Sequence, residues 1–177
     1  MKKKIIFFDA DGTLWHPRVR KIHQSPYYIY RLPISETEMS DRLKITPTTL
    51  KTLKKLRAIG IITIILSTHP HPPKEADIIL KNRVKHLKLD HLFDEVYPTT
   101  VAKHSKGIFI KRILKRRKIK KSAALMVGDS YHWDYKSAKN VGIDALLVES
   151  HYMKIQYPET KRAKKTIKKL SDIFKHL

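Results

Sequence analysis

Ile5-Ile6-Phe7-Phe8-Asp9-Ala10-Asp11-Gly12-Thr13-Leu14 is the stretch that decides the fold. Ile5 to Phe8 is a short apolar run of β-branched and aromatic residues, which reads as a strand buried on both faces. It stops at two carboxylates on either side of Ala10. Gly12 permits a tight turn, and the Thr13 hydroxyl can hydrogen-bond the backbone of that turn. A strand that wants to be dry is an unusual place for charge. In an open α/β sheet, however, the carboxyl end of a strand is where ligands bind. Two acids placed there can hold a hard cation and also supply a nucleophile and a proton donor.

Outward from this stretch, Ile61-Ile62-Thr63-Ile64-Ile65-Leu66-Ser67 is a second apolar strand, ending in a hydroxyl. Thr46 as N-cap and Pro47 at the first helical position predict a helix before it, with Leu50, Leu53, Leu56 and Ile59 inward and Gly60 at its end. A further helix follows, with Glu75 and Asp77 at its start and Ile79, Leu80, Val84 and Leu87 on its core side. Leu92 to Tyr97 is a short strand. Residues 105 to 118 form a helix with Phe109, Ile110, Ile113 and Leu114 inward and Lys111, Arg112, Lys115, Arg116 and Arg117 outward. Ala123 to Val127 is a strand, Trp133 to Asn140 a helix and Ile143 to Val148 the last strand. Strands alternating with helices imply an α/β protein with a central parallel sheet covered on both faces. Ile167, Leu170, Phe174 and Leu177 predict a basic amphipathic helix over about 160–177.

At 177 residues the chain reads as one domain, 1–177. It lacks an apolar run long enough to span a bilayer and any signal-peptide pattern, so a cytoplasmic protein with no membrane partner is expected. Cysteine is absent, which excludes disulfides, thiolate metal sites and cysteine nucleophiles. The 38 Lys and Arg against 16 Asp and Glu give a formal net charge of +22, a field that attracts phosphorylated substrates and nucleic acid alike. Abundant lysine and isoleucine with few glycines fit a protein of a hot-growing organism.

The stretch around Asp9 resembles motif I of the haloacid dehalogenase-like (HAD) phosphohydrolases, an apolar strand followed by Asp-x-Asp-x-Thr. Three partners appear in the family's order: the strand ending at Ser67, the helix-opening Lys106, and Gly128-Asp129-Ser130-Tyr131-His132-Trp133-Asp134, which matches Gly-Asp-x-x-x-x-Asp. The resemblance covers roughly residues 3 to 148. It implies a Rossmann-like three-layer α/β/α sandwich and a phosphoric monoester hydrolase dependent on Mg²⁺. It implies metal ligands from Asp9, the main-chain carbonyl of Asp11, Asp129 and Asp134, the last bound directly or through water. Asp9 would be the nucleophile that forms an aspartyl-phosphate, and Asp11 the acid and then base. Ser67 and Lys106 would hold the phosphoryl group, with Thr68 and Lys103 as their rivals. Asp11 argues against a dehalogenase, which has no leaving oxygen to protonate. The start of the chain is most similar to the magnesium-dependent phosphatase branch, although that branch more usually has Asp-Asp-Glu at the fourth motif.

Family members carry a flap after the first motif. Trp15 to Ile45 has no clean period and holds Pro17, Pro26 and Pro33 with Tyr27, Tyr28 and Tyr30 close together. We read it as an enlarged flap over about 15–45 in place of a large cap domain. Its tyrosines and Arg18, Arg20, Lys21 and Arg31 could grip a leaving group. The substrate would be a phosphorylated small molecule or macromolecule, and the protein a monomer or homodimer. A different class of reading is a basic nucleic-acid-binding protein, or a nucleic-acid-end phosphatase, on the same fold. His69 and His71 flank Pro70 with a spacing that could ligate a transition metal, but no further ligand set accompanies them, and they read as loop residues near the substrate.

Overall fold

Strand β1 (Ile5–Phe8) is wholly buried because both of its faces meet a core. Ile6 and Phe8 join Leu53, Leu56, Leu80 and Val84, while Ile5 and Phe7 join Ile110, Ile113, Leu114 and Ala138. Alternate side chains of a strand point to opposite faces, so the run of four apolar residues serves two layers at once. Each such aromatic or branched side chain contributes about 1.5–3 kcal/mol by its removal from water. The computed structural model describes residues 2–19, 26–101, 105–150, 152, 154 and 157–177, without the side chains of residues 26, 27, 31 and 105. The expectations placed on Arg20, Lys21 and Lys103, and on the side chains of Tyr27 and Arg31, lie outside the described residues.

The remaining strands are β2 (Trp15–Pro17), β3 (Leu43–Ile45), β4 (Ile62–His69), β5 (Glu95–Thr100), β6 (Ala124–Gly128), β7 (Asp144–Val148) and β8 (Thr166–Ile167). Six of them form one parallel sheet in the order β5-β4-β1-β6-β7-β8. The helices are α1 (Glu36–Asp41), α2 (Thr49–Ala58), α3 (Pro73–His86), α4 (Ser105–Arg116) and α5 (Ser137–Asn140). Residues of α2 and α3 cover one face of the sheet, and those of α4 and α5 the other. This is the Rossmann-like α/β/α arrangement the sequence predicts. The chain leaves β1 toward β4 and β5, then returns to β6 on β1's other side. That reversal is a topological switch point, which opens a crevice at the carboxyl ends of β1 and β6.

Several elements differ from the sequence reading. Helix α2 begins at Thr49, with Thr48 in the cap position at φ 70°, and Thr46 does not cap it. The Thr46 amide instead donates to the Leu14 carbonyl, tying this segment to the turn after β1. Leu50 and Ile59 are exposed, and Thr49, Thr52, Leu53 and Leu56 form the buried face. Strand β5 starts at Glu95, because Leu92 belongs to a 3₁₀ turn before it. The predicted helix over 160–177 is replaced by a 3₁₀ turn (Pro158–Arg162), β8 and a second 3₁₀ stretch (Leu170–His176). The cause is tertiary. Thr166 and Ile167 pair with Leu147 and Val148 on the open edge of β7, and Ile167, Leu170 and Ile173 then bury against the core.

Within residues 15–45, β2 and β3 pair antiparallel, with a 3₁₀ turn (Pro26–Arg31) and α1 between them in sequence. Helix α1 is held at its start by a capping box, in which Ser35 and Glu38 satisfy each other's backbone amides.

Candidate active site

Strands β1 and β6 end nearly level, while β4 runs on past them to His69. Phe8 pairs with Ile65 of β4 and with Val127 of β6. The Asp9 amide continues the ladder with a 2.9 Å bond to the Val127 carbonyl. Asp9, Ser67 and Asp129 therefore emerge together at the carboxyl edge of the sheet, and all three are buried.

Asp129 and Asp134 come from one loop and one distorted turn. Ser130 caps the turn by accepting from the Trp133 amide, and residues 131–136 then adopt a π-type turn rather than the predicted regular helix. The wider turn brings Asp134 back toward its own start, where its Oδ2 accepts from the Ser130 amide at 2.9 Å. Glycine is required at two neighbouring points. A Cβ on Gly128 would lie 2.2 Å from Asp134 Oδ2, and one on Gly12, whose φ is +81°, would lie 2.2 Å from Asp129 Oδ2. Carboxylate oxygens of Asp9, Asp129 and Asp134 consequently lie within 4.8 Å of one another.

One cation stands among them. Lys106, at the second position of α4, donates from Nζ to Asp9 Oδ1 and Asp134 Oδ1, each at 2.5 Å. Its helix is seated on α5, where the Gly107 amide donates to Ser137 Oγ at 3.0 Å. Burial alone would lower the pKa of Lys106, but the charges of Asp134 and Asp9 outweigh it and hold the pKa above its usual value. A single lysine does not balance three acids. Burial, and then the charge of Asp134, push the Asp9 carboxyl up to about 7 even against Lys106. Burial and the charges of Asp9 and Asp134 raise Asp129 well above the ordinary carboxylate range.

Two buried oxygens of this cluster, Asp9 Oδ2 and Asp129 Oδ1, have no hydrogen-bond partner among the described residues. Unpartnered carboxylate oxygens with raised pKa values, in an all-oxygen donor set, fit a bound hard divalent cation. Asp134 has both oxygens engaged, by Lys106 and by the Ser130 amide, so it braces the cluster.

Asp11 lies beside the trio in a different setting. Its Oδ1 accepts from Trp15 Nε1 at 2.8 Å and from the Tyr30 hydroxyl. Tyr30 in turn accepts from Arg83 Nη1 at 2.8 Å, and Arg83 Nη2 donates to Glu36 Oε2 at 2.8 Å. Burial, followed by the charge of Asp11, raises the pKa of Tyr30 well above normal, so this hydroxyl keeps its proton. Asp11 and Tyr30 also line a cleft of about 360 Å³ with His69, His71, Val101 and Trp133. Burial pushes His69 down to about 4 despite the pull of Asp11, so its imidazole is neutral.

Of the residues singled out from sequence, Asp9, Asp129 and Asp134 thus cluster, with Lys106 paired to Asp9 and Asp134, while Asp11 lies at the cleft. Ser67 is buried at the level of β1's end, whereas Thr68 directs its hydroxyl to Thr99 Oγ1 at 3.2 Å. Tyr28 does not line the cleft; its hydroxyl donates to the Val19 carbonyl at 2.8 Å. His69 and His71 line the cleft, as their loop position near the substrate implies, whereas Trp15 and Arg83 are not marked as site residues by the sequence reading. Arg83 carried a signal: it lies four residues after Ile79 and three after Leu80, a charge on the apolar face of α3.

Replacing Lys106 by methionine leaves Asp9 and Asp134 facing each other without a counter-charge. The metal-free variant is expected to lose about 3–5 kcal/mol of stability, the usual cost of removing one partner of a buried ion pair. Urea unfolding with and without a divalent cation checks this, and an unchanged midpoint in the metal-free protein would contradict the assigned role.

Acids gathered about a lysine at the switch point of a parallel sheet make a site suited to a cation and an anionic ligand. The sequence profile of the haloacid dehalogenase-like hydrolases matches residues 17–148, and the chain belongs to that family. Asp9 and Asp11 lie just upstream of the matched segment, so their place in the site rests on geometry. Solved structures with the same architecture include a HAD phosphatase from Thermococcus onnurineus, with TM-score 0.68, 22% identity and coverage of 99% of this chain and 97% of that one. A predicted phosphoglycolate phosphatase from Haemophilus somnus gives TM-score 0.72 at 17% identity, covering 99% and 98%. The HAD-hydrolase YfnB from Bacillus subtilis, bound to magnesium, gives 0.73 at 11% identity, covering 100% and 99%. At these identities the likeness is one of fold. No curated protein matches the chain. Among the described residues, no helix is long and apolar enough to cross a membrane.

Proposed function

We propose that this protein is a Mg²⁺-dependent phosphatase that hydrolyses phosphate monoesters through an aspartyl-phosphate on Asp9. The observation that carries this reading is the gathering of Asp9, Asp129 and Asp134, two of them paired to Lys106, with two carboxylate oxygens left unpartnered. Asp9 and Asp129 would hold the cation, with the main-chain carbonyl of Asp11 completing the protein's share. Mg²⁺, when bound, would neutralise the acids and the phosphoryl group, so that one anion can approach another. The magnesium in YfnB is consistent with that choice of ion.

The chain's own residues then divide the chemistry. One oxygen of Asp9 attacks phosphorus, forming the Asp9–phosphoryl bond as the bond to the leaving oxygen breaks. Asp11 gives its proton to that leaving oxygen. It later takes a proton from the water that attacks phosphorus and frees Asp9. Lys106 offsets charge on Asp9 and on the phosphoryl group, and Ser67 donates to a phosphoryl oxygen.

The test is a panel of phosphomonoesters assayed in chelator and with Mg²⁺, Mn²⁺ or Ca²⁺. Activity is expected with Mg²⁺ or Mn²⁺ and to be nearly absent in chelator or Ca²⁺. Calcium takes more ligands at longer distances, which would loosen the alignment of Asp9 with phosphorus. Full activity in chelator would sink the proposal. The Asp11→Asn variant keeps the nucleophile and loses the acid. Its loss of kcat/KM should be about 10²-fold or more on an alkyl phosphate and clearly smaller on p-nitrophenyl phosphate, whose leaving group needs little protonation. Equal losses on both would make Asp11 merely structural.

A further inference from the structure

Arg83 is the most deeply buried charged side chain of the described protein apart from the acidic cluster, at 1% exposure, and the phosphatase reading above gives it no part. It belongs to α3 of the main body, yet its partners all come from residues 15–45. They are the Tyr30 hydroxyl, Glu36 Oε2, and Met39 Sδ at 3.2 Å. Its guanidinium also lies over the Tyr30 ring, 4.4 Å from the centroid. Burying an arginine is costly unless its partners are well placed, and here they converge on one tyrosine that touches Asp11.

The direction of this chain of hydrogen bonds follows from what each group can do. Arginine only donates, so Tyr30 must accept from Arg83 and send its single hydroxyl proton to Asp11 Oδ1. Trp15 Nε1 is likewise only a donor, and it ends on the same oxygen. Oδ1 is thereby committed to accepting. The described residues leave Oδ2 without a hydrogen bond, so that is the oxygen able to face the leaving group.

We infer that Tyr30, held by Arg83 and Glu36, is a positioning residue for the acid–base step. It fixes Asp11 through Oδ1 so that Oδ2 presents its proton to the leaving group. Because Tyr30, Glu36 and Met39 all belong to residues 15–45, seating this segment on Arg83 and setting the acid are one event. The inference rests on the phosphatase reading and deepens it, since it says which part of the flap takes part and how.

Tyr30→Phe tests it. The variant keeps the ring over Arg83 and removes the bond to Asp11. We expect kcat/KM on an alkyl phosphate such as glycerol 2-phosphate to fall about 10–100-fold, against about 3-fold or less on p-nitrophenyl phosphate, because only a poor leaving group depends on the proton. In an Asp11→Asn background the same change should have almost no further effect, since two changes to one unit are not additive. Glu36→Gln, a replacement at a half-exposed carboxylate, should show the same asymmetry at smaller size even if Tyr30→Phe folds poorly. An equal fall on both substrates, a full additional loss in the Asp11→Asn background, or unchanged kinetics would each overturn the inference. Failure of the unaltered protein to hydrolyse any monoester with Mg²⁺ would overturn the phosphatase reading, and the inference with it.

Discussion

Asp9→Asn is expected to lower turnover of p-nitrophenyl phosphate by at least about 10⁴-fold, because no other described group can replace the attacking oxygen. The substitution would also remove one charge from the cation site. The fold should survive. Asp9 follows a strand whose four residues are wholly buried, and its backbone amide keeps the bond to Val127. In the metal-free protein the variant should unfold at a temperature no lower than the wild type. Asparagine relieves the repulsion that Asp134 and Asp11 exert on this position, and Lys106 retains Asp134. Activity and thermal unfolding are read on the same preparation. Near-wild-type hydrolysis by a folded Asp9→Asn protein would end the mechanism.

The second large effect is a pH-dependent stabilisation by Mg²⁺. The Asp9 carboxyl, pushed up to about 7, keeps its proton in the folded protein between about pH 4 and 7, where the unfolded chain has already released it. Asp129 shifts in the same direction. The folded state then binds more protons than the unfolded one, so these two groups make the metal-free protein less stable as pH rises through that window. His69 acts oppositely. Held near 4, it is neutral when folded while the unfolded chain still binds its proton up to about pH 6.5, so its part of the stability grows with pH.

A plain pH series would mix the two, but the difference with and without Mg²⁺ separates them, because His69 contributes equally to both curves. Metal must displace protons from Asp9 and Asp129 at low pH and finds them ionised at high pH. At Mg²⁺ about 100 times its Kd, the stabilisation at pH 8 should be about 2.7 kcal/mol, or about 5–10 °C in Tm. At pH 5 it should shrink to a small part of that. An equal shift at both values, or one retained in full by Asp129→Asn, would place the cation elsewhere.

The parts of this protein legible in its sequence are those that depend on neighbours along the chain. Ile5 to Phe8 reads as a strand dry on both faces, and a carboxylate directly after such a strand lies at the sheet's edge, where ligands bind. The same logic reads Ser67 from β4 and Asp129 from β6, and the alternation of elements makes the sheet parallel. Asp134 is reached from the sequence only through the resemblance to Gly-Asp-x-x-x-x-Asp, and it is the π-type turn over 131–136 that brings it back toward Asp129.

Other features were settled only by contacts distant in sequence. Period and composition over 160–177 favour a helix, yet the unpaired edge of β7 takes Thr166 and Ile167 as a strand, and backbone pairing to a sheet outweighs a weak local preference. Leu50 fits an apolar stripe and is exposed, because the direction in which α2 lies on the sheet selects Thr49, Thr52 and Leu53 instead. Among so many lysines, no local signal marks Lys106. It is distinguished by the seating of α4 on α5, which brings Nζ to Asp9 across 97 positions of the chain. Arg83 and Tyr30 lie 53 positions apart and meet because one folded segment rests on another. Strand ends and turns follow from local sterics and hydrophobic pattern. Which charges share a buried site depends on how separate elements pack, and only the tertiary structure decides that.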